Sequence, residues 1–200
     1  MKLYKLTCFD NETKNNTLWG ENVTHTANGK GNKLCTEDFI HAYRHPLIAA
    51  FMRPHHVPIY YNKLWECEGE AITDDGTKVG CKSLTTLKEV TLPELTTEQR
   101  VKIAILCAKE VYKEKKWNEW ADGWLSGKRS RELALDACVA TRADANAAYY
   151  AASAAYDYDC DFDFADDYIA ADAYAAGYAA RAAAASSDKL DLLSIIRKAC

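Results

Sequence analysis

Histidine is the side chain best suited to moving protons or holding a metal near neutral pH. This chain places all five of its histidines in the first third: His25, His41, His45, His55 and His56. His41 and His45 lie four apart, with Cys35 close by, which raises the question of a metal site. Zinc takes four tetrahedral nitrogen or sulfur ligands, commonly offered as two close pairs. Only His55 and His56 are close, and adjacent side chains on an extended segment point apart. The expectation is therefore polar loop histidines, with no metal and no cofactor. His25, His41 and Tyr43, joined by the late acid Glu66, suggest another chemistry. Together they could line a pocket that binds a small ligand of the nucleotide class, or transfers a group from it.

Carboxylates form the other reactive set. Glu66, Glu68 and Glu70 alternate with Trp65 and Cys67, so they share one face of an extended segment. Paired acids in a cleft do acid–base work, whereas on a half-buried strand they form the solvated face. Asp157, Asp159, Asp161, Asp163, Asp166 and Asp167 cluster late in the chain. An EF-hand counted from Asp157 needs Gly at position six and Glu at position twelve; Phe162 and Tyr168 stand there instead. That leaves a partner-binding face, a nucleic-acid mimic or a solvated helix end. The partner-binding reading takes in Asp157, Tyr158, Asp159, Asp161, Asp163, Asp166, Asp167, Tyr168 and Tyr174. No Gly-x-Ser-x-Gly elbow is present, and Gly29-Lys30-Gly31 lacks the spacing of a phosphate-binding loop.

These residues need elements to hold them. With 48% hydrophobic and 27% charged residues, the 200-residue chain has the composition of one domain or two small ones. Net charge is −4, which argues against a general binder of nucleic acid or anionic membrane. The charge is unevenly placed: residues 1–95 carry −1, residues 96–142 carry +3, and residues 143–187 carry −7. Eight cysteines without a C-x-x-C pair, and a polar start without an apolar leader, point to free thiols in a reducing cytosol.

Residues 1–95 read as an α+β domain with a small mixed or antiparallel sheet. Strands are expected over 4–9, 17–25 (pairing with the first), 39–43, 63–71, 78–83 and 84–90, and Pro46 opens a short helix. Residues 96–200 read as a helical module. Thr96 and Gln99 form a capping box. Trp117, Trp120 and Trp124 recur on one helical stripe, as a core face or a base-stacking platform. A further helix from Ser130 is expected to carry Leu133, Ala137, Cys138 and Thr141. Residues 143–187 hold 20 Ala and 7 Tyr, which predicts an Ala-rich bundle or hairpin broken near the aspartates, with tyrosines supplying most of the buried area. A short strand over 157–164 is the alternative. Ser186, Ser187 and Asp188 are expected to cap a last helix with Leu190, Leu193 and Ile196 on its apolar face.

Two resemblances add to this reading. Cys35, Phe39, His41-Ala42 and Pro46, with Trp19-Gly20, Trp65-Glu66 and residues 79–86, resemble the signature of an uncharacterised domain common in phage and prophage proteins. The stretch from Trp120 onward is similar to helical regions of phage proteins and of bacterial "putative immunity" proteins. The resemblance implies a phage-type accessory protein of the host-cell cytoplasm, plausibly an anti-defence inhibitor that binds a host defence protein without catalysis. An oligomer and a structural virion component are also compatible with it. Separately, Tyr4-Lys5, His41-Ala42-Tyr43 and then Glu66 or Glu68 follow the order of ADP-ribosyltransferase-like folds, with Lys5 where those carry Arg or His. That likeness implies a degenerate, ligand-binding version.

Overall fold

The computed structural model describes residues 1–53, 61–141, 145–158, 165–187 and 189–200, and the chain divides into two units, Met1–Glu94 and Leu95–Cys200. The fold is α+β, with antiparallel sheets in the first unit and helices in the second.

The first unit is built on a four-stranded antiparallel sheet in the order β1 (Lys2–Cys8), β6 (Tyr61–Gly69), β9 (Ser83–Val90), β4 (Val23–Thr26). A second sheet orders β5 (Ile40–Ala42), β8 (Val79–Cys81) and β7 (Thr73–Asp74). A small hairpin pairs β2 (Glu12–Thr13) with β3 (Thr17–Leu18). The expected pairing of residues 17–25 with the first strand is thereby corrected. Thr17 and Leu18 close a local hairpin, while Val23–Thr26 pairs with β9 some sixty residues away.

Alternation along β1 buries Leu3 and Thr7, and Cys67 and Trp65 stand across from Leu3 and Lys5 on β6. Trp65 Nε1 donates to Thr7 Oγ1 at 3.1 Å, so this buried indole is satisfied. Leu3, Trp19, Ala42, Trp65, Val79 and Leu84 belong to one buried cluster that spans both sheets. The free edge of β1 makes an isolated bridge to Tyr43: Tyr4 and Tyr43 exchange two backbone hydrogen bonds of 2.8 Å. This bridge joins the larger sheet to the chain leaving β5. Pro46 opens α1 (Pro46–Phe51), whose N-cap is His45, with its Nδ1 accepting from Leu47 N–H at 3.1 Å.

The second unit comprises α2 (Thr97–Val111), α3 (Lys115–Leu125), α4 (Arg131–Thr141), α5 (Asn146–Tyr158), α6 (Ala165–Ser186) and α7 (Leu192–Ala199). The capping box of Thr96 and Gln99 forms in both directions, at 3.2 and 2.8 Å. Helix α2 packs against α5, α6 and α7, which explains why Val101, Ile103, Ala104, Ile105, Cys107 and Ala108 are all buried. Helices α5 and α6 lie against each other as a helical pair. Their buried positions are alanines, such as Ala148, Ala151, Ala176 and Ala180. The described tyrosines of this region, Tyr149, Tyr150, Tyr156, Tyr158 and Tyr178, are half-buried beside these alanines. Two arginines bind the α3–α4 connection to α5: Arg129 bonds Tyr158 Oη at 3.2 Å and lies over the Trp124 ring at 4.8 Å, and Arg131 bonds Tyr156 Oη at 2.6 Å.

Two further expectations change, for α4 and α7, while the indole stripe packs inward as a core face. Leu133 is exposed, because α4 turns Ala134, Ala137 and Thr141 inward. Trp117 and Trp124 are buried and Trp120 is half-buried, so the indole stripe is chiefly a packing face. Helix α7 is capped by Asp191, whose carboxylate accepts from Ser194 N–H at 3.0 Å, and it buries Leu192, Ile195 and Ile196. The described cysteines are all free, with Cys67, Cys81 and Cys107 buried. Among the described residues no helix is long and apolar enough to cross a membrane.

Candidate ligand-binding cleft

The first unit contains a cleft of about 700 Å³ lined by Lys5, Trp19, His25, Phe39, His41 and Tyr43, with Lys14, Cys35 and Glu37 among its outer residues. Cavities of roughly 300–1,000 Å³ are the usual size for small-molecule sites. Strand β1 supplies Lys5, which by alternation follows Leu3 toward the core side of the sheet. The Tyr4–Tyr43 bridge draws β5 alongside, and Lys5 Nζ donates to the His41 carbonyl at 2.9 Å. The ammonium also lies 5.2 Å from the Trp19 ring centroid, within cation–π range.

Trp19 follows the β2–β3 hairpin, with its backbone N–H on the Asn11 carbonyl at 2.8 Å and its Nε1 donating to Thr13 Oγ1 at 3.1 Å. His25, on β4, meets the Trp19 ring edge-on at 4.6 Å and places Nε2 2.8 Å from the Leu18 carbonyl. Lining residues Asn28, Cys35, Thr36 and Glu37 belong to a loop wound about Asp38. The Asp38 carboxylate accepts from Gly31 N–H at 2.8 Å, Lys33 N–H at 3.2 Å and Thr36 Oγ1 at 2.8 Å. The Thr36 hydroxyl, followed by the Gly31 N–H, holds its carboxyl below the usual carboxylate range. A Cβ at Gly29 would sit 2.3 Å from Asp38 Oδ1, so only glycine allows this approach. Lys82 Nζ donates to the carbonyls of Gly31 and Asp38, each at 2.8 Å, and lies 4.3 Å from the Phe39 ring centroid.

His41 Nε2 accepts from Cys35 N–H at 3.0 Å. An accepting Nε2 has no proton, so this imidazole is neutral with its hydrogen on Nδ1. Cys35 makes this bond from a left-handed backbone, φ 71°, a conformation that non-glycine residues adopt at a cost.

Electrostatically, Lys5 is the unusual group. Burial holds its ammonium pKa down at about 8, against an ordinary 10.5. The neighbouring Cys67 thiol is pushed up to about 12 by burial, and Cys81 is raised for the same reason, so both are neutral at pH 7. Among the described residues no carboxylate forms an ion pair with Lys5. Among the described residues the Lys5 ammonium thus lies in the cleft without a carboxylate partner, although Glu37 is part of the lining.

Of the residues singled out from the sequence, His25, His41 and Tyr43 all line the cleft. Glu66 does not: alternation puts it on the other face of β6 from Trp65 and Cys67. There it bonds Lys2 at 2.8 Å, which holds its carboxyl below the ordinary range. Strand β6 therefore brings no late acid to this cleft. His45 caps α1, and His55 and His56 lie outside the described residues. Among the described residues no group of three His, Cys, Asp or Glu could hold a metal.

In the second unit, Tyr158 is engaged by Arg129, and Asp157 stands beside it in the last turn of α5. Asp166 and Asp167 fall in the first turn of α6, with Tyr168 and Tyr174 further along the same helix. Asp159, Asp161 and Asp163 lie outside the described residues, as do the break between the helices and most of the strand alternative over 157–164.

Sequence reasoning named Lys5 only through the order of ADP-ribosyltransferase-like folds, and did not name Trp19 as a ligand contact. The available signal was a lysine inside an alternating strand, on the parity of Leu3 and Thr7. No family model, curated protein or solved structure matches the chain.

Proposed function

We propose that residues 1–94 form a small-molecule-binding module whose cleft takes a ligand of the nucleotide class. The observation that carries this reading is the convergence of His25, His41 and Tyr43 with the Trp19 ring around one cleft of about 700 Å³. Trp19, Phe39 and Tyr43 border the cleft as largely buried aromatic walls that give it an apolar lining. The ring nitrogens and loop backbone offer hydrogen-bond partners that can fix the orientation of a ligand. Binding is favoured over group transfer because Glu66, the acid expected to support transfer, is tied to Lys2 on the far face of β6.

The test is a nucleoside and nucleotide panel read by thermal shift, together with native mass spectrometry of the freshly purified protein. A true ligand at a hundred times its Kd stabilises the folded state by about 2.7 kcal/mol. A raised midpoint or a co-purifying nucleotide mass is the expected result. An empty protein whose midpoint no panel member moves at millimolar concentration would refute the reading.

A further inference from the structure

We propose that Lys5 is the anion-recognising residue of the cleft, docking a phosphate group carried by the ligand. The inference rests on the small-molecule reading above and adds the charge that the ligand must bring. Its basis is an imbalance in the site. A buried charge is ordinarily paired or neutralised, yet among the described residues the Lys5 ammonium has the His41 carbonyl at 2.9 Å and the Trp19 ring face as its contacts. An ammonium carries three donors, and one protein acceptor leaves two for a ligand.

The surroundings do not supply the missing anion. Facing Lys5 are Cys67 on β6 and Cys81 on β8, both kept as thiols by burial. His41 on β5 is neutral, since its Nε2 accepts the Cys35 N–H. Trp19 and Leu3 are apolar on this side. Farther along the lining are His25 of β4, Tyr43, Lys14 and Glu37. Of these Glu37 is an acid, and it makes no ion pair with Lys5. A phosphate entering the cleft would gain a charge-assisted contact in a partly desolvated setting, where such contacts are stronger than in water. A neutral or cationic ligand would leave the ammonium uncompensated. The cleft therefore selects by charge as well as by shape.

Proton linkage gives this proposal its own signature. The ammonium pKa of about 8 in the empty cleft means that part of the population is neutral amine above that pH. A bound anion favours the charged form, so binding takes up a proton in mildly alkaline solution.

The experiment is titration calorimetry of the full chain with AMP, adenosine and inorganic phosphate at pH 7 and pH 9.5. The expected result is AMP binding about 10- to 100-fold tighter than adenosine at pH 7. AMP affinity should fall by up to ~30-fold at pH 9.5 while adenosine affinity holds, and inorganic phosphate should compete with AMP. Lys5→Met should remove the preference for AMP and its pH dependence. Lys5→Arg, charged at both pH values, should keep the preference and flatten the pH profile. If a variant fails to fold, the buffer dependence of the AMP binding enthalpy in the unaltered protein reports proton uptake directly, and no uptake at pH 8.5 overturns the proposal. Equal binding of AMP and adenosine overturns it too but leaves the small-molecule reading standing. Failure of all three probes to bind overturns this proposal, while the full nucleoside and nucleotide panel decides the small-molecule reading.

Discussion

Lys5 sits in the folded chain at an energetic disadvantage, and the sign of that disadvantage can be worked out. Its folded pKa, about 8, lies below the ordinary 10.5. Between those values the unfolded chain binds more protons, so stability rises with pH across that window. Below pH 8 the full penalty of holding the charge is present; above 10.5 it has gone. Lys5→Met should therefore raise stability at pH 7 by up to about 3 kcal/mol, the energy equivalent of that shift. The gain should shrink toward pH 10, as denaturant unfolding at the two pH values would show. A variant less stable than the parent at pH 7 would mean that the amine is better solvated than its surroundings indicate. Lys82 has the opposite character. Its ammonium is ringed by the carbonyls of Gly29, Gly31 and Asp38 at 3.4, 2.8 and 2.8 Å, so it organises the cleft wall, whereas Lys5 has a single carbonyl hydrogen bond at 2.9 Å.

Among elements, the contrast is between strands whose partners are distant and helices whose packing faces are small. Overfilling should be felt most where α5 meets its neighbours. Ala151→Leu, at a position with no solvent exposure, should destabilise by about 1–3 kcal/mol. Leu133→Ala on the outer face of α4 should change stability by less than about 0.5 kcal/mol, and chemical denaturation of the two variants checks both. Helices were readable where a local rule set them. Thr96 and Gln99 announce the start of α2 by spacing alone, and Pro46 announces α1. The cap of α7 was less legible, because Asp188 and Asp191 are the same residue type three apart, and only packing of Leu192, Ile195 and Ile196 selects the later one. Strand partners were harder still. The alternation that marks Val23–Thr26 as extended says nothing about β9 as its partner, since register across sixty residues depends on the assembled core. The cleft was half readable for the same reason. His25, His41 and Tyr43 stand out by type, while the surroundings of Lys5 emerge only with the Tyr4–Tyr43 bridge that sets β5 beside it.

At the scale of the whole molecule, the division after Glu94 separates two kinds of interior. One is a sheet core of Leu3, Trp19, Trp65 and Leu84; the other is an alanine-lined helical core seated on α2. Each has the buried apolar cluster that an independent domain requires. Residues 1–94 expressed alone should give a cooperative thermal transition and retain the ligand preference of the full chain. A non-cooperative fragment would show that the first unit depends on the second. The pairing order has a further consequence during synthesis, when the chain leaves the ribosome N-terminus first. Of the strands in this sheet β1 emerges first, but its long partner β6 begins at Tyr61 and the central β9 ends at Val90. The strand that carries Lys5 must therefore wait, unpaired, while most of the first unit is translated. Once Val90 is out, every partner in that sheet exists, and the first unit can close before the alanine-rich helices have been made.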